Sequence, residues 1–447
     1  MSKEITSNDL EKFQTAFEQT PGSSAIKNAV ANNGILASSE TVASKVAMDP
    51  TFSVELDTGT VSDQKQSGLC WVFAALNTMR HPIQSKFKIK GFELSEGYML
   101  FWDKLEKSNF FYENVINTAA LPVGDRKVDF LMTTPQQDGG QWDMIMALVQ
   151  KYGVVPKSVM PDTYSRTKSS ELNTVLNTKL RKNAITLRAL VNENKSDEDI
   201  ERAKNEMLSE IYKILVYTVG EPPAKFDWAY RDDDKNYHKE TGITPQEFFK
   251  KYVGWDLDNY ISTINAPTDD KPYNHVYTVE MLGNVLGGRQ VRHLNLEIND
   301  FKNLAVKQLQ DGEAVWFGSD VGQSSDRKIG IMDTNIYDVE GLFNTDLSMT
   351  KAERLDYIQS MMTHAMVLTG VDLDENGKPT KWKVENSWGE KVGTKGYFVM
   401  SDSWFDEFVY QLVINKKYLN DDLKKTFETE SKEPKVLAPW DPMGALA

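Results

Sequence analysis

The chain has a single cysteine in 447 residues, Cys70, and the position of this cysteine constrains the fold most. One cysteine cannot form an internal disulfide, and alone it supplies too few ligands for a structural zinc site. It follows Ser67-Gly68-Leu69 and opens an apolar pattern at helical spacing, formed by Leu69, Val72, Phe73, Leu76 and Met79. The pattern predicts a helix that carries the thiol at its N-terminus, where unpaired N–H groups and the helix dipole favour a thiolate.

A buried structural cysteine is the ordinary alternative, because free cysteine is among the most buried residue types. Three other residues favour a reactive cysteine instead. Gln64 precedes Cys70 closely, His364 precedes an apolar stretch, and Asn386 opens the motif Asn-Ser-Trp-Gly.

Two predicted strands connect the histidine and the asparagine. Residues 365–371 and 381–385 are rich in Val, Leu, Met and Trp, and the turn between them contains Asn376-Gly377. Pairing of the two strands would bring His364 and Asn386 to the same end of one sheet.

These residue types fit nucleophilic catalysis by a thiol. A cysteine with an ordinary pKa is mostly a thiol at neutral pH, so His364 would take its proton and later deliver it to the leaving amine. Asn386 would orient the far side of the ring without competing for the proton. Gln64 and the backbone N–H of Cys70 would supply the donors that the negative oxygen of the tetrahedral intermediate needs.

The order glutamine, Cys-Trp, histidine and Asn-Ser-Trp-Gly resembles the papain-like cysteine peptidases. The resemblance implies an α+β, papain-like two-lobed fold with a helical lobe and a β-barrel-like lobe. It also implies that the catalytic residues are Cys70, His364, Asn386 and Gln64. No metal and no organic cofactor is implied.

The segment Asp138-Gly139-Gly140-Gln141-Trp142 resembles the glycine pair that lines the substrate cleft in that family. On this resemblance, Gly139 and Gly140 would expose backbone groups to an extended peptide. Without the resemblance, the segment predicts only a loop before a helix that starts near Trp142.

The spacing between Cys70 and His364 is about twice that of the papain type, so the chain must contain a large insertion. The motif around Cys70, the insertion and the apolar C-terminal tail together resemble the bleomycin hydrolase group. We predict five segments. They are an N-terminal extension (1–50), a core half with the nucleophile (51–158), a mainly helical insertion (159–312), a core half with the histidine and asparagine (313–420) and a C-terminal arm (421–447).

The C-terminal arm bears on the reaction. Residues 421–435 are highly charged, but the tail then ends in an apolar stretch, so it is either a surface strap or an arm that reaches the active site. The resemblance favours the second alternative, in which the Ala447 carboxylate pairs with the free α-amino group of a peptide. The prediction is a thiol aminopeptidase of broad specificity that acts on peptides with a free N-terminus.

Two other functions stay open: a thiol endopeptidase with a displaced tail, and a self-assembling protein that binds nucleic acid or peptides through a vestigial site. The net charge of −14 disfavours a nucleic-acid partner. A single cysteine, no apolar signal segment and no run of membrane-spanning length favour a cytoplasmic enzyme without membrane association. The resemblance further implies a homohexamer that encloses its active sites, with contacts provided by the insertion.

Overall fold

The structure is a computed structural model that describes residues 4–446 of the chain. Long helices dominate the first half, where apolar residues recur at helical spacing. The helices are α1 (Ser7–Gln19), α2 (Ser23–Asn33), α3 (Ile35–Ser39), α4 (Val42–Ala47), α5 (Cys70–Phe87), α6 (Glu96–Asn117), α7 (Arg126–Thr133), α8 (Trp142–Tyr152), α9 (Tyr164–Thr167), α10 (Ser170–Asn192), α11 (Asp197–Val219), α12 (Pro245–Phe248), α13 (Ile298–Gln310), α14 (Val339–Phe343), α15 (Lys351–Asp356), α16 (Asp402–Phe408) and α17 (Asp421–Glu430). A π-helical turn follows α12 at Phe249–Val253, and 3-10 turns lie at Leu257–Asn259, Lys416–Tyr418 and Pro442–Gly444.

Most strands belong to one large sheet. The strands are β1 (Val54–Glu55), β2 (Phe226–Arg231), β3 (Tyr237–Ile243), β4 (Tyr260–Ile264), β5 (Val276–Val279), β6 (His293–Asn295), β7 (Val315–Ser319), β8 (Ser325–Asp326), β9 (Ile331–Met332), β10 (His364–Leu373), β11 (Pro379–Glu385), β12 (Tyr397–Ser401), β13 (Val409–Asn415) and β14 (Lys435–Leu437). Twelve of them form a sheet in the order β14-β5-β6-β4-β13-β7-β10-β11-β12-β9-β8, with β1 paired to β10. Strands β2 and β3 form a separate hairpin.

Strand β10 positions the histidine side of the site. It begins at His364 and pairs antiparallel with β7 and β11. Its residues point alternately into two hydrophobic clusters: Ala365 packs in the cluster that contains α5, and Met366 packs in the cluster that contains α13. Both faces are therefore covered, which explains why the strand is apolar almost throughout and does not alternate with polar residues.

Several local predictions are confirmed. Strands β10 and β11 cover the two predicted strands, and α5 begins at Cys70 as the apolar pattern predicted. The region predicted as a mainly helical insertion contains the long helices α10 and α11, but residues 260–295 also place β4, β5 and β6 in the large sheet. These strands are short and buried on both faces, so they lack the alternation that marks a strand in a sequence.

The C-terminal arm is ordered against the rest of the chain. Strand β14 adds to the edge of the large sheet by pairing parallel with β5, and the chain then continues through the 3-10 turn at Pro442–Gly444. Met443 and Leu446 are buried in the same hydrophobic cluster as Cys70. Ala447, which the sequence analysis assigned to substrate binding, lies outside the described residues.

Candidate active site

Cys70 is the first residue of α5 and is 6% exposed. No side chain caps this end of the helix, so the N–H groups of the first turn keep their hydrogen-bonding capacity. Burial raises the pKa of Cys70 to about 11, although backbone N–H groups of Ala365, Trp71 and Cys70 itself favour the thiolate. At neutral pH the isolated group is therefore a thiol, and it needs a base in order to react.

His364 supplies a nearby imidazole. Its chain neighbour Ala365 packs in the same hydrophobic cluster as Cys70, which places the start of β10 against the start of α5. Burial lowers the pKa of His364 to about 4; the hydrogen bond to Asn386 opposes this shift, and the charge of Arg327 adds to it. The ring is therefore neutral before a reaction and able to accept a proton.

Asn386, directly after β11, fixes the histidine ring. His364 Nε2 donates to Asn386 Oδ1 at 2.8 Å, and this oxygen also accepts the backbone N–H of Ser387. With Nε2 as donor, the neutral ring keeps Nδ1 free to accept the proton of a thiol. The indole of Trp388 stacks on His364 at 4.7 Å between ring centroids and covers the ring on one face.

Gln64 is held between the two halves of the site. Its Oε1 accepts the Ser387 hydroxyl at 2.7 Å, and its backbone N–H donates to the Ser387 carbonyl at 2.8 Å. Its Nε2 donates to the Ser67 carbonyl at 2.7 Å. Because an amide nitrogen carries two hydrogens, one donor of Gln64 remains for a substrate oxygen. Of the four residues predicted from the sequence, His364 and Asn386 share a hydrogen bond, and Ser387 links Gln64 to them. Cys70 packs in the same hydrophobic cluster as Ala365, the residue after the histidine.

The predicted glycine pair packs on α5, the helix that begins at Cys70. A Cβ atom at Gly140 would lie 2.7 Å from the ring of Trp71, so a side chain at this position would displace the indole. The Trp71 Nε1 donates to the Asp138 carbonyl at 2.6 Å, which holds the segment in place. The Gly139 carbonyl already accepts the Lys107 Nζ at 2.5 Å, so a peptide would share that oxygen. Peptide binding by Gly139 and Gly140 stays a prediction.

A buried acid beside the glycine pair escaped the sequence analysis. Asp138 Oδ1 lies 2.9 Å from Lys104 Nζ, and Oδ2 accepts the backbone N–H of Gly68 at 3.1 Å. Burial would raise the pKa of Asp138, but Lys104 and hydrogen bonds from Ser169 and Asn173 outweigh it and hold the pKa far below its ordinary value. The carboxylate thus ties α6 to the loop that precedes Cys70.

A second buried acid, Glu385, lies on the sheet side, immediately before Asn386. It accepts Arg80 Nη2 at 2.9 Å and lies 3.0 Å from His81 Nε2, and both partners belong to α5. Burial would raise the pKa of Glu385, but His81 and Arg80 outweigh it, and the net shift is downward. Each acid adjoins a motif that the sequence revealed, but its partners are too distant in sequence to be recognised.

The remaining histidines lie away from this constellation. His238 and His275 pair with the carboxylates of Asp232 and Glu430, and His293 contacts the hydroxyl of Ser262. Among residues 4–446, no group of three or more His, Cys, Asp and Glu side chains is arranged to hold a metal ion. Within the same range, no helix combines the length and apolarity that a membrane crossing requires.

Known proteins resemble the chain over its full length. The model of the Peptidase C1-like family matches residues 4–444. Aminopeptidase C of Lactobacillus delbrueckii subsp. lactis is 60% identical over 447 residues, which cover 100% of this chain and 99% of the relative. Aminopeptidase C of Listeria monocytogenes is 51% identical and covers 100% of both chains. The crystal structure of PepW from Lactobacillus rhamnosis HN001 is 69% identical, covers 100% of both chains and gives a TM-score of 0.99.

Proposed function

The chain belongs to the peptidase C1-like family and is a cysteine aminopeptidase, and from this premise we propose how its site carries out the reaction. The family resemblance, the papain-like α+β fold and the enzyme class predicted from the sequence are confirmed. We assign Cys70 as nucleophile, His364 as base and acid, Asn386 as the residue that orients His364, and Gln64 as an oxyanion donor. The observation that carries the assignment is the 2.8 Å hydrogen bond from His364 to Asn386 beside the thiol.

The reaction begins with both partners neutral. The Cys70 proton moves to His364 Nδ1, so thiolate and imidazolium form together and stabilise each other in the buried site. The sulfur attacks the peptide carbonyl carbon, and the resulting oxyanion accepts hydrogen bonds from Gln64 Nε2 and the Cys70 N–H. His364 returns the proton to the amine nitrogen as the C–N bond breaks. Water, deprotonated by His364, then hydrolyses the thioester and restores the thiol.

Substitutions in the site test these roles. Cys70→Ser should abolish turnover, because a hydroxyl is a poor nucleophile in a site built for a thiolate. His364→Ala should be nearly as damaging, and Gln64→Ala should lower the chemical rate about 10²–10³-fold. Single-turnover rates and labelling by iodoacetamide are the measurements. Normal hydrolysis by Cys70→Ser would refute the mechanism.

We attribute the restriction to N-terminal residues to the arm, residues 421–447. Gln141 Nε2 donates to the Met443 carbonyl at 3.3 Å, and Gln141 directly follows Gly140, which packs on Trp71. This supports an arm that occupies the helical side of the site and leaves little room before the scissile bond. The Ala447 carboxylate would pair with the α-amino group of the substrate. Specificity would be broad, since the arm senses chain position and not side-chain identity.

Deletion of residues 445–447 tests the arm. Free peptides should lose their anchor and be trimmed more slowly, whereas N-acetylated peptides should enter the cleft and be cut internally. The same deletion combined with Cys70→Ser controls for contaminating peptidases, and mass spectrometry of the products is the measurement. If the truncated protein trimmed free peptides at the original rate and still excluded N-acetylated peptides, the arm would be only a surface strap. Internal cleavage by the full-length protein would favour the endopeptidase alternative.

We further propose a homohexamer. Helix α1 has no buried residue, and one of its faces presents Leu10, Phe13 and Phe17, each about half exposed. A face of this kind is typical of a surface that another chain covers. Sedimentation should give a particle several times the 50.7 kDa chain, and Phe13→Ser with Phe17→Ser should reduce its size. A wild-type monomer at micromolar concentration would refute the assembly.

The proposed location is the cytoplasm, and the proposed partners are peptides with a free N-terminus. The single cysteine suits a reducing compartment, and the net charge of −14 opposes phosphate binding. Cell fractionation tests the location. A gel-shift titration with duplex and single-stranded DNA at low salt tests the partners. Tight binding of DNA would contradict the proposal that the partners are peptides.

A further inference from the structure

Arg327 is an exposed cation beside the active site that the mechanism does not use. It lies in the loop between β8 and β9, and its guanidinium carbon is 4.0 Å from the ring centroid of Trp388. It makes no hydrogen bond or ion pair with any of residues 4–446. Stacking therefore holds the guanidinium in place and leaves its donors free.

The stack continues inward to the histidine. Trp388 lies 4.7 Å from His364 between ring centroids, with 28° between the ring planes, and is braced edge-on by Phe398. Imidazole, indole and guanidinium thus follow one another outward from the site. The charge of Arg327 reaches the ring: burial is the main cause of the lowered pKa of His364, and Arg327 contributes to it.

The direction of the reaction places part of the substrate beside this stack. His364 protonates the leaving amine, so the peptide beyond the scissile bond departs on the sheet side of Cys70. The arm contacts Gln141 on the other, helical side. The path from Arg327 to the His364 ring spans two stacking contacts: Arg327 Cζ lies 4.0 Å from the Trp388 ring centroid, and that centroid lies 4.7 Å from the His364 ring centroid. An extended peptide advances about 3.3–3.6 Å per residue, so roughly two residues span this distance.

We propose that Arg327 binds a carboxylate within the first two residues of the leaving peptide and thereby gives the enzyme a preference for such substrates. The inference rests on the proposed mechanism. The carboxylate has two sources, namely the C-terminus of a short peptide and the side chain of Asp or Glu. The planar fork of arginine suits a carboxylate, and a free cation is effective here because the net charge of −14 repels acidic substrates elsewhere.

The test measures kcat/KM for two pairs of substrates. Alanyl-alanine is compared with its C-terminal amide, and Ala-Asp-Ala amide is compared with Ala-Asn-Ala amide. In each pair the preference is the ratio of the acidic to the neutral substrate. Arg327→Gln should lower at least one of these two ratios about tenfold, mainly through a higher KM for the acidic substrate. This is the effect expected for loss of a charge-assisted hydrogen bond. Arg327→Lys should retain part of it, and the matched control Lys328→Gln, an exposed neighbour, should retain all of it.

The outcomes separate the sources and the hypotheses. A loss confined to the first pair identifies the C-terminal carboxylate, and a loss confined to the second pair identifies the acidic side chain. Preferences unchanged by Arg327→Gln in both pairs, with normal hydrolysis, would overturn this inference alone. If the wild type cleaved none of the four substrates, the proposed function would fail and the inference with it.

Discussion

The two sides of Cys70 are each held by a buried carboxylate, but the carboxylates work differently. On the helical side, Asp138 bonds both a side chain, Lys104, and the backbone N–H of Gly68 in the loop that precedes Cys70. On the sheet side, Glu385 contacts only side chains: it accepts a hydrogen bond from Arg80 of α5, and it lies 3.0 Å from Nε2 of His81 in the same helix.

The difference suggests two functions for buried charge at one site. The carboxylate of Asp138 fixes the course of the chain beside the sulfur, so its loss should free the loop itself. Glu385 connects a helix to a strand, and its loss should loosen their packing while each element keeps its own hydrogen bonds. Four predictions, in order of expected effect, test this comparison.

The largest effect is expected for Asp138→Ala. It leaves the fully buried Lys104 without a counter-charge and Gly68 without an acceptor, so the free energy of unfolding should fall by about 3–5 kcal/mol. Peptidase activity should fall as well. Urea unfolding and kcat/KM are the measurements. Asp129→Ala is the control, since that exposed side chain makes no contact of this kind within residues 4–446, and equal effects of the two variants would contradict the account.

Glu385→Gln should cost less, about 2–3 kcal/mol, because the amide still accepts a hydrogen bond from Arg80. The pKa of Glu385 is lowered in the folded protein, so its contribution to stability is present at neutral pH and is lost as pH falls through that lowered pKa. The variant should therefore differ most from the wild type at neutral pH. Urea unfolding at pH 7 and pH 4 measures this. A loss of unfolding free energy in Glu385→Gln that was larger at pH 4 than at pH 7 would contradict this argument.

Gly140→Ala compares packing with charge. The new methyl group would meet Trp71 at 2.7 Å, and the fully buried indole has little room to move. We expect a loss of about 1–3 kcal/mol in unfolding free energy and a lower kcat/KM. Gly322→Ala is the control, because a Cβ there would meet only Asp320 Oδ1 at 3.8 Å, an ordinary contact distance. A stable, fully active Gly140→Ala variant would mean that the glycine pair tolerates side chains.

The smallest effect is a dependence on pH. Burial raises the pKa of Glu96 to about 6, against the opposing charges of Lys157 and Arg166. The pKa of Glu96 in the folded protein therefore lies above the ordinary 4.5. Burial of the protonated acid contributes fully to folding stability at low pH, and this contribution is lost as pH rises through about 6 and the acid ionises. Glu96→Gln should remove this loss, so the variant should gain about 2 kcal/mol over the wild type between pH 4 and pH 8.

The measurement is urea unfolding at both pH values. Glu198→Gln, at the exposed start of α11, is the matched control and should show no such gain. A constant difference between Glu96→Gln and the wild type across this range would contradict the assigned cause.

The sequence predicted the parts of the site that reside in short motifs. Cys70, His364, Asn386 and Gln64 were identifiable because a thiol peptidase needs those residue types, and because their order along the chain resembles that of the papain-like family. Asp138 and Glu385 were not, although both adjoin motif residues. Their roles depend on Lys104, Arg80 and His81, and no local pattern identifies which acid a distant cation will meet.

The same limit applies to the fold. Helices α10 and α11 were predictable because residues 167–219 are dense in Leu, Glu, Lys and Asn and contain few helix breakers. Strands β4, β5 and β6 were not, because three to five residues buried on both faces give no alternation and are indistinguishable from other apolar runs. Their place in the sheet is set by partners such as β13, far along the chain.

The contacts between Gln64 and Ser387 also bear on how the protein reaches its active form. They join segments 323 residues apart, and closing so long a loop is entropically costly and slow compared with forming local helices. A chain that is still being synthesised and has not reached His364 carries the thiol without the imidazole. On the proposed mechanism, peptidase activity emerges only after the distant segments have met, and its appearance during refolding would mark the closure of this long loop.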